Sequence, residues 1–197
     1  MIVGVLALQG AVREHLERVR RCGSGTLAVK KLSDLSCLDG LIIPGGESTT
    51  IGKLLIKYDF IEPIRQLSEA GIPIFGTCAG LILLAGKITE GSQPLLELMD
   101  IEARRNAFGR QRESFETDLS IPDLGEKPFP GVFIRAPWIE SVGDGVRVMA
   151  EFNGKAVMAR QNSLLVASFH PELTDDLRVH RYFLDMVRES LSLKSGV

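Results

Sequence analysis

The chain has 197 residues, of which 45% are hydrophobic and 24% charged, with a formal net charge of −2, values ordinary for a globular protein with one core and no metal or disulfide support. That near-neutral balance gives no reason to expect nucleic acid or an anionic membrane as a partner, and no run approaches the ~18 apolar residues of a membrane span. Three cysteines, Cys22, Cys37 and Cys78, are an odd number that argues against a disulfide framework and for a reducing, cytoplasmic home.

Residues 2–8 are continuously apolar with no basic segment before them, the pattern of a strand buried on both faces rather than of a secretory signal. Val12, Leu16 and Val19 then recur at i, i+4 and i+7 among charged residues, which predicts an amphipathic helix. Leu27-Ala28-Val29 and Leu41-Ile42-Ile43 read as strands, the second ending at Pro44-Gly45-Gly46. Ser48 or Thr49 is placed to cap a helix carrying Ile51, Leu54 and Leu55. A further helix holds Ile64 and Leu67 and stops at Gly71, residues 72–75 form a strand, and residues 81–85 continue as a buried helix. This β-α-β rhythm predicts an α/β fold, a mostly parallel central sheet with flanking helices.

The second half has a different texture. Residues 101–169 are mostly strands and turns, an antiparallel insertion, with Asn153-Gly154 as a two-residue hairpin signal and Gln161-Asn162-Ser163 as another turn. Lys127-Pro128-Phe129-Pro130 reads as a rigid loop rather than a boundary, so residues 1–197 are expected to form one domain. Leu177, Phe183, Met186, Val187 and Leu191 mark a final helix.

Gly76-Thr77-Cys78-Ala79-Gly80, between a strand and a helix, has the form of a nucleophile elbow with cysteine as the nucleophile. Small residues two before and two after suit a tight turn where backbones crowd, and the helix N-terminus beneath favours thiolate. Taken alone, the pattern fits a buried structural cysteine equally well. Ser168-Phe169-His170-Pro171-Glu172 closes an apolar run, so His170 is expected at a strand end. In an extended segment residues i and i+2 share a side, and Pro171 would keep it extended so that Glu172 reaches the imidazole. A carboxylate there fixes the tautomer that a general base needs. Alone, this histidine is better read as satisfying a local hydrogen bond. Beside the elbow, a Cys78-His170-Glu172 triad becomes the better reading.

Gly45-Gly46, after another strand of the same sheet, let backbone N–H groups turn toward an oxyanion, with the Ala79 N–H as second donor. An ordinary turn fits as well. His15 and His180 fall on predicted helices and are expected to be solvated or half-buried. Cys22 and Cys37 lack metal-ligand spacing. Among Arg104, Arg105, Arg110, Arg112 and Arg135, some could clamp a carboxylate.

Together the elbow, the Pro-Gly-Gly loop and the His-Pro-Glu segment resemble class I glutamine amidotransferases. Six segments in order narrow the likeness: Leu8-Gln9-Gly10-Ala11-Val12-Arg13-Glu14-His15, Gly45-Gly46-Glu47-Ser48-Thr49-Thr50, Arg105-Asn106-Ala107-Phe108-Gly109-Arg110-Gln111, Ser114-Phe115-Glu116, Phe133-Ile134-Arg135-Ala136-Pro137 and Phe169-His170-Pro171-Glu172-Leu173-Thr174. They resemble the glutaminase subunits of pyridoxal 5′-phosphate synthases, over essentially the whole chain. The resemblance implies a three-layer sandwich, catalysis by Cys78, His170 and Glu172, and L-glutamine held by Gly46, Glu47, Ser48, Arg105, Ile134 and Arg135. Also implied is a partner synthase subunit that accepts the ammonia, with Gln9 placed to face it. No metal or organic cofactor is implied; pyridoxal phosphate would be the assembly's product. Glu97 departs from an expected glycine, and Arg104 from the usual glutamate. A glutaminase subunit of another biosynthetic amidotransferase, or a non-catalytic α/β protein of the same topology, stays compatible with the triad motifs alone.

Overall fold

The computed structural model describes residues 1–105 and 114–194. Its first half supplies β1 (Ile2–Leu6), α1 (Val12–Arg21), β2 (Gly25–Val29), β3 (Gly40–Ile43), α2 (Ser48–Lys57), α3 (Ile61–Glu69), β4 (Ile74–Thr77) and α4 (Ala79–Leu84). The second half supplies β5 (Ala85–Ile88), β6 (Met99–Arg104), β7 (Ser114–Leu119), β8 (Phe129–Ile134), β9 (Trp138–Val142), β10 (Arg147–Phe152), β11 (Lys155–Gln161), β12 (Leu164–Ala167) and α5 (Arg178–Lys194). Of the expected segment over residues 105–111, residues 106–111 lie outside the described residues, as do Arg110 and Arg112.

Strands β2, β1, β3, β4 and β12 pair in that order, all parallel; β11, β9 and β6 continue the sheet through antiparallel pairings, and β5 joins β6 in parallel at the far edge. β7 and β8 form a separate antiparallel pair. Alternation along the parallel strands feeds two cores. Leu41, Ile43, Ile74 and Val166 join the cluster that includes Ile51, Leu55 and Ile64 of α2 and α3 and the buried side chains of α4. Ile42, Phe75, Leu165 and Ala167 join Val19 of α1 and Phe183 and Val187 of α5 on the opposite face. Helices thus cover both faces, the three-layer arrangement. Full burial of each such Leu, Ile or Phe stabilises the fold by about 1.5–3 kcal/mol.

Local chemistry explains the turns. Asn153 and Gly154 stand at φ 51° and 71°, both left-handed, as a two-residue hairpin turn between right-twisted strands requires. Gly71, at φ 72°, closes α3 as expected. Two expectations are corrected. The cap of α2 is Glu47, whose carboxylate accepts the Thr49 and Thr50 N–H groups, rather than Ser48 or Thr49; its charge also complements the helix dipole. Phe129 and Pro130 belong to β8 rather than to a loop, and Phe129 is fully buried. No helix among the described residues is long and apolar enough to cross a membrane.

The parallel strands run the same way, so the segments after β1, β3, β4 and β12 emerge at one edge of the sheet. They carry Gln9, Gly45-Gly46, Cys78 and His170.

Candidate active site

Cys78 sits between β4 and α4 at φ 49°, ψ −101°. A positive φ with this ψ is a sparsely populated conformation that costs a side-chained residue on the order of 1–3 kcal/mol. The surroundings impose it: the Cys78 N–H donates to Ala167 O of β12 at 2.8 Å while α4 packs back on the sheet. A β-carbon on Gly76 would fall 2.6 Å from the Gly80 backbone, and one on Gly80 would run into the Ile43 carbonyl. Close approach therefore demands glycine two before and two after the cysteine. The sulfur is nearly buried and lies 3.9 Å from the carbonyl oxygen of Ile134.

His170 follows β12, its N–H donating to Val132 O at 2.8 Å. Its Nδ1 lies 2.7 Å from Glu172 Oε1, the expected pairing. The route to that pairing differs from expectation, because Pro171–Leu173 is a single 3-10 turn rather than an extended segment. Proline suits the first position of such a turn, where its fixed φ fits and no N–H is needed. Burial by itself lowers an imidazole pKa. Hydrogen bonds with Cys78 and Glu172, and the charges they carry, outweigh it here and raise His170 from 6.5 to about 10. Burial likewise pushes the Glu172 carboxyl up, but the neighbouring His15 and His170 hold it below its ordinary value. Both shifts favour an imidazolium paired with a carboxylate. With Nδ1 taken by Glu172, Nε2 is the nitrogen left for the sulfur.

Gly45 is pinned at both peptide groups. Its N–H donates to Thr77 Oγ1 at 3.0 Å, and its carbonyl accepts the Ala11 N–H at 2.9 Å. That second bond fixes the plane of the Gly45-Gly46 peptide, and with it the direction of the Gly46 N–H. Neither glycine has a positive φ. Glycine is required there by space, since a β-carbon on Gly46 would meet the Gln9 amide oxygen. Gln9 Oε1 in turn accepts the Glu47 N–H at 2.8 Å, so an exposed side chain grips this loop from the β1 side. The Thr50 hydroxyl, with the Thr50 and Thr49 N–H groups, holds the Glu47 carboxyl below its ordinary pKa. Arg105 Nη2 stands 3.8 Å from Glu47 Oε1.

One cleft of about 380 Å³ unites these groups: Gln9, Gly46, Glu47, Ser48, Cys78, Ala79, Arg105, Ile134, Arg135 and His170 all line it, and Glu172 stands behind His170. Arg104 is not among the lining residues. It pairs with Glu90 and Glu140, each at 3.6 Å, and its guanidinium lies over the Trp138 ring. His15 and His180 depart from expectation most: both are fully buried, behind the triad. A signal was present, since His15 lies three residues after Val12 and four before Val19, on the apolar stripe of α1.

The family model described as the SNO glutamine amidotransferase family matches residues 5–189. The chain belongs to that family. It is 60% identical over 185 residues to a protein of Pelotomaculum thermopropionicum, covering 94% of each, and 59% identical over 190 residues to one of Niallia circulans, covering 96% of this chain and all of the other. Both are named pyridoxal 5′-phosphate synthase subunit PdxT. A crystal structure described as a glutamine amidotransferase superposes with a TM-score of 0.90 at 49% identity, covering 95% of this chain and 99% of that one. A GMP synthase subunit-like protein of Thermoplasma acidophilum, at 17% identity and a TM-score of 0.73, shares the fold alone.

Proposed function

We propose that this chain, acting as one glutaminase domain over residues 1–197, is the glutamine-hydrolysing half of a cytoplasmic pyridoxal 5′-phosphate synthase. One observation carries the site: His170 stands between Cys78 and a buried carboxylate, at the wall of a cleft that holds every other candidate ligand group. The Cys78 thiolate attacks the side-chain amide carbon of L-glutamine. The oxyanion rests on the Gly46 and Ala79 N–H groups, and imidazolium His170 gives its proton to the departing nitrogen. Ammonia leaves, and the sulfur keeps a γ-glutamyl thioester. Water activated by the now neutral His170 then hydrolyses the thioester to glutamate and restores the thiolate. Gly46, Glu47, Ser48, Arg105, Ile134 and Arg135 bind the amino-acid end.

Ammonia in neutral water is mostly ammonium, which is no nucleophile, so hydrolysis is useful only beside an acceptor. A synthase subunit that condenses a pentose phosphate and a triose phosphate with ammonia supplies that acceptor, docked against the edge where Gln9 is exposed. Gln9 holds the Glu47 N–H, so contact there reaches the oxyanion loop directly. The deciding experiment assays glutaminase turnover of the purified chain with and without the synthase subunit. Turnover is expected to rise on mixing, and the Cys78→Ala complex is expected to make pyridoxal phosphate from ammonium salt but not from glutamine. Full turnover by the chain alone, unaffected by the subunit, would refute the coupled reading.

A further inference from the structure

Behind the triad lies a buried polar chain that the mechanism above does not use. His15 Nε2 is 3.1 Å from Thr77 Oγ1 and 3.4 Å from Glu172 Oε2, and His15 Nδ1 is 3.1 Å from His180 Nε2. The three side chains from α1, β4 and α5 are each fully buried, and both imidazoles lie edge-on to Phe75, with centroids 6.4 Å from its ring. Glu172 spends Oε1 on His170, and its Oε2 makes no hydrogen bond among the described residues, so His15 Nε2 is the polar group that faces it. The same helix also holds the other end of Glu172: Arg18 Nε, one turn beyond His15, donates to the Glu172 carbonyl at 3.1 Å. Thr77, touched by His15, is the residue whose hydroxyl accepts the Gly45 N–H.

The Glu172 carboxylate and the bare His180 Nδ1 favour one of the two neutral tautomers of His15. If His15 carried its proton on Nδ1, its Nε2 lone pair would face the Glu172 carboxylate, and His180 Nδ1–H would be an orphaned buried donor. With the proton on Nε2, His15 donates toward Thr77 Oγ1 and Glu172 Oε2, and Nδ1 accepts from His180 Nε2–H. His180 Nδ1 is then a bare lone pair, and that atom lacks a partner among the described residues. A bare buried acceptor costs less than a bare buried donor. Both rings stay neutral in this arrangement. Burial lowers the His15 pKa, against the attraction of Glu172 and Glu14, and burial together with His15 takes His180 down to about 3.

We infer that His15 is a positioning residue of this active site: its Nε2–H holds the Glu172 carboxylate and the Thr77 hydroxyl that anchors Gly45, and His180 sets the tautomer in which it does so. The inference rests on the glutaminase reading and deepens it. One imidazole thereby ties the orienting acid of the triad to the oxyanion loop, so that both halves of the catalytic apparatus are placed by a single helix, and the N–H of Ala11, the residue that caps it, donates to the Gly45 carbonyl.

Two measurements test it. The chain has three histidines, so nitrogen-labelled imidazole spectra resolve each ring. His15 and His180 are expected as neutral Nε2–H tautomers that do not titrate between pH 6 and 8, with His170 protonated; a protonated Nδ1 on His15 would overturn the assignment. In glutaminase assays with the synthase subunit, His15→Leu is expected to lower kcat roughly 10- to 100-fold, the worth of a hydrogen bond to a charged group, with KM within about twofold. His15→Gln, whose amide N–H falls near the Nε2 position, should recover kcat to within about threefold of the parent. Unchanged kcat in a folded His15→Leu protein, or losses in both variants that follow only their melting temperatures, would reduce His15 to a packing residue. A parent protein without glutaminase activity beside the synthase subunit would instead fail the functional reading, and the spectra would then decide the His15 geometry by themselves.

Discussion

Gly45 lies so close to His170 that a β-carbon at position 45 would stand 2.5 Å from imidazole Cε1, and 3.3 Å from Cys78 Cβ. An added methyl would push on the imidazole, a side chain, rather than on backbone. Gly45→Ala is therefore expected to fold and to lose about 100-fold in kcat, the typical result of displacing a reacting group by an ångström. Gly80→Ala meets the Ile43 backbone instead and should destabilise the fold outright. Thermal melts and glutaminase assays with the synthase subunit separate the two. A Gly45→Ala protein with parental kcat would show that the ring has more freedom than its packing implies.

The triad variants should rank by role. Cys78→Ala and His170→Ala remove the nucleophile and the proton carrier, and each should reduce kcat on the order of a million-fold if the three act as a unit. Glu172→Ala should be milder, because it orients rather than reacts. A Glu172→Ala protein as inactive as Cys78→Ala would mean that the carboxylate does more than orient.

The pH profile follows from His170. Its pKa is raised from 6.5 to about 10 by Cys78 and Glu172 against burial, so the protonated acid survives well above neutrality. The alkaline limb of kcat/KM is expected near pH 10, and Glu172→Gln should move that limb down toward neutral. Stability shares the sign. The raised His170 contributes fully below pH 6.5 and its contribution is lost as pH rises through about 10. Glu172, whose pKa is lowered, contributes above the ordinary carboxylate range and is lost as pH falls through its folded value. Denaturation midpoints across pH would reveal both limbs, and an alkaline activity limb near 6.5 would contradict the ion pair.

Arg105 and Arg135 both line the cleft, and Glu47 already holds Arg105 over it. A free amino acid brings an α-carboxylate that a guanidinium fork pairs with bidentately and an ammonium does not. Arg→Lys at the residue that makes this contact should raise KM more than it lowers kcat. Steady-state kinetics of the two single Lys variants decide between them, and unchanged constants in both would remove these arginines from substrate binding.

Glu97 stands at φ 55° and pairs with Arg65 at 2.9 Å on the surface. Glycine relieves a left-handed strain worth about 1–2 kcal/mol, whereas a surface ion pair contributes about 0–1 kcal/mol. Glu97→Gly is therefore expected to be neutral to mildly stabilising in denaturant titrations. A clear loss of stability would show that the ion pair dominates.

The sequence by itself determined the parallel strands, the elbow and the His-Pro-Glu pair, because each is written in contiguous residues. Continuous apolar runs mark strands buried on both faces, and Gly76 and Gly80 mark crowding on either side of Cys78. The resemblance marked Glu97 as a glycine position, and its φ of 55° explains that expectation. Contacts between distant segments were not. His170 reaches Glu172 through a 3-10 turn rather than an extended segment, because Pro171 fits the first position of either. Which groups His15 meets in the core depended on how α5 and β4 pack against α1, which brings His15 and His180 together across 165 positions and His15 to Thr77 across 62. No local spacing records such contacts. Only the strand order, with β12 laid beside β4, sets Glu172 where a histidine on a helix from the start of the chain can hold it.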